Sequence, residues 1–171
     1  SGGLVAGSGA DARATADPTV KTEILSNSAN PTDIDINQNL AQLADSRAKS
    51  NAQAYGIASG GVAVGVSLAN ATTRANVDAI VGQSAEIAAG QDVSIVSSFN
   101  YDDGGNGIND TAKATSRSSA GAVAAGAGAD SRVTSDIDSQ VTLGDSVQID
   151  AGQDVALTAK AFSESDAIVD G

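Results

Sequence analysis

An all-β chain, a parallel β-solenoid with a narrow core rich in Ala, Ser and Val, is the fold this sequence predicts, and three observations carry that expectation. Side chains alternate between small or apolar and polar over long stretches, the period of a strand and not of a helix. The pentapeptide AGQDV at Ala89 to Val93 returns at Ala151 to Val155, with matching residue types on both sides, so the chain repeats with a period of 62 residues. Leu, Ile, Val and Phe together number 35 against 33 Ala in 171 residues, which leaves too few large side chains for a compact sandwich core. Three modules follow, over residues 1–47, 48–111 and 112–171.

The first module opens with Ala10, Ala12, Ala14 and Ala16 alternating with Asp11, Arg13, Thr15 and Asp17. Gly7 to Thr15 matches Gly126 to Thr134, close to two periods away. The start at Ser1-Gly2-Gly3 falls inside a repeat, so the chain reads as a segment of something longer. Asp33, Asp35, Asn37 and Asn39 share one face of a short strand. Leu40 to Ala48 carries helix formers with apolar spacing of three and four, making a short helix at 40–47 the alternative to a strand. Alternation resumes at Ala48, Ser50, Ala52 and Ala54, which align with Ala112, Ala114, Ser116 and Ser118.

The second module continues through Gly60-Gly61-Val62-Ala63-Val64-Gly65, which matches Gly121 to Gly126 at an offset of 61, implying one residue gained on the way to the AGQDV block. Ala69 to Val81 alternates with Asn70, Thr72, Arg74, Asn76 and Asp78. Two short strands follow, Ala85-x-Ile87-x-Ala89 and Val93-x-Ile95, joined by a Gly-Gln-Asp turn. The third module repeats the scheme from Ala129 to Leu143 and from Val147 to Ala161. A 62-residue module divides naturally into three coils of roughly 20, a usual size for one turn of a solenoid.

Composition narrows the chemistry. There is no His, Cys, Met or Trp, hence no imidazole base, no thiol nucleophile and no zinc, haem or iron–sulfur site of the usual kind. The reading is therefore non-enzymatic. The net charge is −12, from 18 Asp and 3 Glu against 4 Lys and 5 Arg, which disfavours nucleic acid and anionic membrane surfaces as partners. No apolar run approaches the roughly 20 residues that span a bilayer. Cations are the natural counter-charge, although solubility alone also accounts for an acidic surface.

The blocks GGVAVGVSLANATT and VGQSAEIAAGQDVSIVSS, and AGAVAAGAGADSRVTSDI and LGDSVQIDAGQDVALTAKA, resemble the repeat region of very large bacterial secreted or surface adhesins, the filamentous-haemagglutinin-like and leukotoxin-like β-helical exoproteins. The resemblance is strongest over 56–99 and 118–163 and weak over 18–47. It implies a right-handed parallel β-helix stalk, an extracellular or bacterial cell-surface location, and a role in attachment. Contact with host or neighbouring cells, or with their glycans, would fall to other parts of the parent protein. End-to-end self-association is a further expectation, because a segment of such a stack leaves open edges.

Two places carry candidate ligands. Tyr101 to Asp110 is an insertion-like loop whose Asp102, Asp103, Asn106, Asn109 and Asp110 supply the oxygens that calcium, with its about six to eight ligands, requires. Its GGNGIN stretch resembles one unit of a Gly-rich calcium-binding nonapeptide, but has Asn109 where that repeat has Asp, no second copy, and Thr111 where a large apolar residue belongs. The competing reading is an ordinary flexible turn. Asp33 and Asp35, about 7 Å apart on a strand, would share a cation or simply face water. The glycines of Gly126-Ala127-Gly128-Ala129-Asp130-Ser131 lack both the final Gly and the Lys of phosphate loops, so close packing explains them better than nucleotide binding. Tyr55 and Tyr101 are too isolated for a sugar cleft, and Thr72, Thr73, Thr134 and Thr142 form no Thr-x-Thr ranks of an ice-binding face. The functional expectation is a scaffold or stalk segment, with a cation- or carbohydrate-binding module or a self-assembling filament subunit as alternatives.

Overall fold

A computed structural model describes residues 2–171, with side chains from residue 4 onward. Among the described residues the chain is all strand and connection, with no helix. In order these are β1 Gly2–Ala16, β2 Thr19–Ile24, β3 Asp33–Ile36, β4 Leu40–Ser46, β5 Ser50–Val81, β6 Glu86–Ala89, β7 Val93–Phe99, β8 Ala112–Gly121, β9 Ala124–Leu143, β10 Gln148–Ala151, β11 Val155–Ala161 and β12 Ser165–Asp170. They form one six-stranded sheet, β1-β5-β8-β12 with β2 and β9 also on β5, and two three-stranded sheets, β3-β6-β10 and β4-β7-β11. Every pairing between these strands is parallel.

The strands stack in rows. β1 to β4 make an upper row, β5 to β7 a middle row, β8 to β11 a lower row, and β12 begins another row beneath β8. The expected coils of about 20 residues do not form. Each strand pairs instead with its counterpart a whole row away, and between the middle and lower rows that distance is the 62-residue repeat, Ala89 on Ala151 and Val93 on Val155, so AGQDV lies directly on AGQDV. The reason is β5, a single 32-residue strand: one long strand and two short ones use up the whole repeat in one row. Two alignments also shift. Gly121 pairs with Ser59 and Ala124 with Val62, one uninterrupted register with no residue gained, and Ala112 pairs with Ser50, not Ala48. The backbone ladder holds register through the glycines, whose missing side chains make them poor markers of it. The short helix at 40–47 is also overturned. Leu40–Ser46 is a strand on β7 with Ala44 and Ser46 buried, because ladder bonds and burial outweigh helix propensity.

The first and middle parts of β5 face each other. Ser50 Oγ lies 2.8 Å from Thr73 Oγ1, and Ala52 and Ala54 pack with Ala69 and Ala71. A methyl group on Gly56 would sit 2.5 Å from the Val66 carbonyl oxygen, which only glycine avoids. Small residues are therefore what lets the two stretches approach. Beyond this thin part the three sheets contribute to a second core of Val77, Val81, Ile87, Val93, Ile95 and Phe99. Burial of these side chains stabilises by about 1.5–3 kcal/mol each. The turns repeat as well: Ser84 and Ser146, one above the other, both take left-handed backbone with φ of 59° and 58°.

Candidate functional site

The Asn100–Thr111 connection between β7 and β8 is the loop singled out by sequence, and its base is firmly built. Asn100, fully buried with φ 56°, accepts a hydrogen bond from Ala48 N–H at 2.8 Å through Oδ1. Its Nδ2 donates to Ala48 O at 2.9 Å and to Thr111 Oγ1 at 3.1 Å. This amide does for Ala48 what a neighbouring strand would do, tying the link between upper and middle rows to the loop. Thr111, also buried, accepts from Ser50 N–H and Thr73 Oγ1 through its carbonyl.

Above that base the predicted ligands disperse. Asp102 and Asn106 come together: the Asn106 backbone N–H donates to Asp102 Oδ1 at 2.7 Å, and its side-chain amide reaches both carboxylate oxygens. The backbone N–H of Asn106 first, and then its side-chain amide, hold the Asp102 carboxyl below its ordinary value. Asp103 points elsewhere, to an ion pair with Arg47, and Arg47 also approaches Asp45 at 3.5 Å. The hydrogen bond to Asp103 raises the Arg47 guanidinium above its usual value, with desolvation opposing it and the charges of Asp103, Asp45 and Asp102 adding to it. Asp110 faces Lys113 at 3.4 Å, while its backbone N–H donates to Glu164. Asn109 is exposed. Asp33 and Asp35 lie on the exposed face of β3, in register with Glu86 and Ala88 of β6.

Among the described residues no three acidic side chains converge on a point where a metal ion would sit. In the loop as folded Arg47 holds Asp103 and Asn106 holds Asp102, so calcium would have to displace both contacts to bind there.

A cleft of about 220 Å³ runs beside the loop, lined by Leu43, Asp45, Arg47, Val96, Ser98, Tyr101, Asp102, Asp103 and Lys160. Lys160 stands 4.3 Å from the centre of the Tyr101 ring, and Phe162 meets that ring edge-on at 6.4 Å. One ring face thus carries an ammonium group instead of being free for a sugar. Its acids and bases largely neutralise one another, an arrangement suited to fastening the loop to the sheet. Arg47, Asn100, Lys160 and Glu164 escaped sequence reasoning. They act across more than 50 residues, and only the repeat register could have brought them together.

The rows also build files of side chains. Thr15, Thr72 and Thr134 lie in one in-register file. Its neighbours are Arg13, Asn70 and Arg132 on one side and the cleft of Asp17, Arg74, Asp136 and Asp138 on the other. A single threonine file flanked by charge is not a Thr-x-Thr array. Val62, Val64, Val66 and Leu68 form an outward apolar stripe in the middle row, 38–50% exposed. No family model matches the chain, and no curated protein or solved structure matches it either.

Proposed function

We propose that this chain is a structural segment of an extracellular bacterial adhesin or surface fibre, a parallel β-solenoid that spaces or presents adhesive elements and performs no catalysis. One observation carries the reading: the middle and lower rows pair residue for residue at one constant parallel offset on three sheets, and the upper row pairs in parallel with the same three. Such a stack lengthens along one axis with every repeat added, as a stalk requires. At about 4.8 Å per row, three rows contribute about 14 Å.

The test is a set of fusions carrying one, two and three tandem copies between a cell-surface anchor and a reporter binding domain. Small-angle scattering of the soluble versions should show the maximum dimension growing by about 14 Å per copy, and the reporter on cells should reach targets set proportionally further away. Lengths that do not scale, or cell and glycan binding by the segment alone that is lost on mutating residues 102–110, would replace the stalk with the binding-module reading.

A further inference from the structure

We propose that two copies of this chain pair side by side, each laying the apolar stripe Val62, Val64 and Val66 into a glycine furrow beside the stripe of the other. This goes beyond the stalk reading and does not depend on it. The stripe lies in the middle row with a paired strand on each side, yet its side chains stand exposed on the outer face of the six-stranded sheet. Its register partners are Gly7 and Gly9 on one side and Gly126 and Gly128 on the other. Packing within the chain does not call for these glycines. An added methyl group would meet no atom within 4 Å at Gly7, Gly126 or Gly128, and only Val66 O, at 4.0 Å, at Gly9. Gly56 and Gly65 differ, since there the methyl would lie 2.5 and 2.7 Å from backbone oxygens. Glycine weakens a strand, and where the fold does not require it, it marks a place that another surface approaches closely.

Shape and charge together select a second copy as the occupant. Ridge and furrow are one row apart, about 4.8 Å. A two-fold axis parallel to the strands and midway between the middle and lower rows sets each middle-row residue over its register partner in the other copy. Val62, Val64 and Val66 then lie over Ala124, Gly126 and Gly128, and the reverse contact forms by symmetry. The same operation sets Arg74 over Asp136 twice, Asn76 over Asp138 and Asp78 over Gln140, so no like charges meet. No charged residue occurs in 4–10, 54–73 or 118–129 of a chain whose net charge is −12, so this is the face where a second copy is repelled least. One contact opposes pairing, Leu68 over Asp130, whose charge Arg132 already shares at 3.1 Å. From Val62 to Asp78 over two rows the shared face measures about 53 by 10 Å, so the pair buries about 1,000 Å² in all, the lower bound for a specific interface.

Sedimentation velocity across a concentration series tests this. The wild-type chain should form a discrete dimer and stop there, with a dissociation constant on the order of 0.1 mM. Gly9→Val with Gly128→Val fills both furrows, so the pair cannot escape by shifting one row. That variant should dimerise at least about tenfold more weakly, while its melting temperature holds or rises, because valine favours a strand and its Cβ meets no clash at either position. Glycines kept for folding alone would give the opposite result, a lower melting temperature. If the double variant loses its β signal, Val64→Ser with Val66→Ser replaces it and removes the ridge. Arg74→Asp should weaken the dimer about tenfold by setting carboxylate against Asp136, and adding Asp136→Arg should restore it. The proposal is overturned by a wild-type chain that is monomeric at about ten times the expected dissociation constant, whether or not it floats with phosphatidylcholine vesicles. An open series of oligomers, or a filled-furrow variant that dimerises as the wild type does, would overturn it equally.

Discussion

Asn100 offers the most demanding test of how the rows are joined. Replacing it with Ala removes the acceptor for Ala48 N–H, the donor for Ala48 O and the donor for Thr111 Oγ1. Each such bond contributes about 0.5–1.5 kcal/mol net, and more where the abandoned partner is shut off from water. Alanine would also have to hold φ 56°, a left-handed conformation costing roughly 1–2 kcal/mol without the side-chain bonds that favour Asn there. The expected loss is about 3–5 kcal/mol, a large share of the stability of a domain this size. Asn100→Gly keeps the backbone and loses the bonds, so it should be about 1 kcal/mol more stable than Asn100→Ala.

Asn100→Asp adds a sign. Its carboxyl would be buried facing the Ala48 carbonyl, raising the folded-state pKa above the unfolded value near 4. Below that value the protonated acid can still donate to Ala48 O. As pH rises through the raised folded value that stability is lost, so the deficit against wild type grows from pH 4 to pH 7. Urea unfolding of all three variants measures this. The reasoning fails if Asn100→Ala stays within about 1 kcal/mol of wild type, or if Gly is no better than Ala at this position.

Four further outcomes are expected. Gly56→Val should unfold the thin part of the core or cost more than about 3 kcal/mol, since even the first methyl meets the Val66 carbonyl oxygen; thermal melting with Gly56→Ala as the milder partner checks it. Phe99→Ala, at the largest fully buried side chain, should cost about 3–5 kcal/mol by denaturant titration, because a cavity is left among Ala and Val neighbours that cannot collapse. Asp102 has a lowered folded value, so its contribution to loop order is present above its unfolded pKa and lost as pH falls through the folded one. The protection of the Asn106 amide, its exchange rate measured against that of an unstructured peptide at the same pH, should therefore fall on acidification in the wild type but not in Asp102→Asn, and calcium up to millimolar levels should leave the melting temperature unchanged.

Alternation was the most legible feature of the sequence, because the side-chain period of a strand survives whatever the strand pairs with. Ala69 to Val81 is buried and exposed as that period requires. Row length was less legible. Nothing local says that Ser50–Val81 runs as one strand and folds its first part over its middle, since that depends on Gly56 and the small residues opposite it. The loop was ambiguous for a different reason. Its Asp and Asn residues are the types a calcium site uses, but they are also the types that cap turns and pair with a distant Arg. Which use wins is decided by Arg47 and Asn106, and Arg47 lies far from the loop in sequence.

The near match between Gly7–Thr15 and Gly126–Thr134 has a physical explanation that a simple repeat lacks. Asp11 and Asp130 both pair with Leu68, and Arg13 and Arg132 both pair with Asn70. A neutral middle row separates two rows bearing the same charges, so no Asp file or Arg file runs through adjacent strands about 4.8 Å apart. Arg74 lies in register with Asp136 and shares a cleft with Asp17, again placing opposite charge between like charges. On this face the repeating unit is therefore two rows, while on the inner face, where Ala, Ser and Val carry no charge, it is one. The inner face sets the register and the outer face sets which charges can stand in adjacent rows, so a charged middle row should weaken the stack. Leu68→Asp with Asn70→Arg would run an Asp file and an Arg file through three adjacent strands, and thermal melting at low salt should then fall below the wild-type value; an unchanged melting temperature would mean that the outer files do not govern stacking.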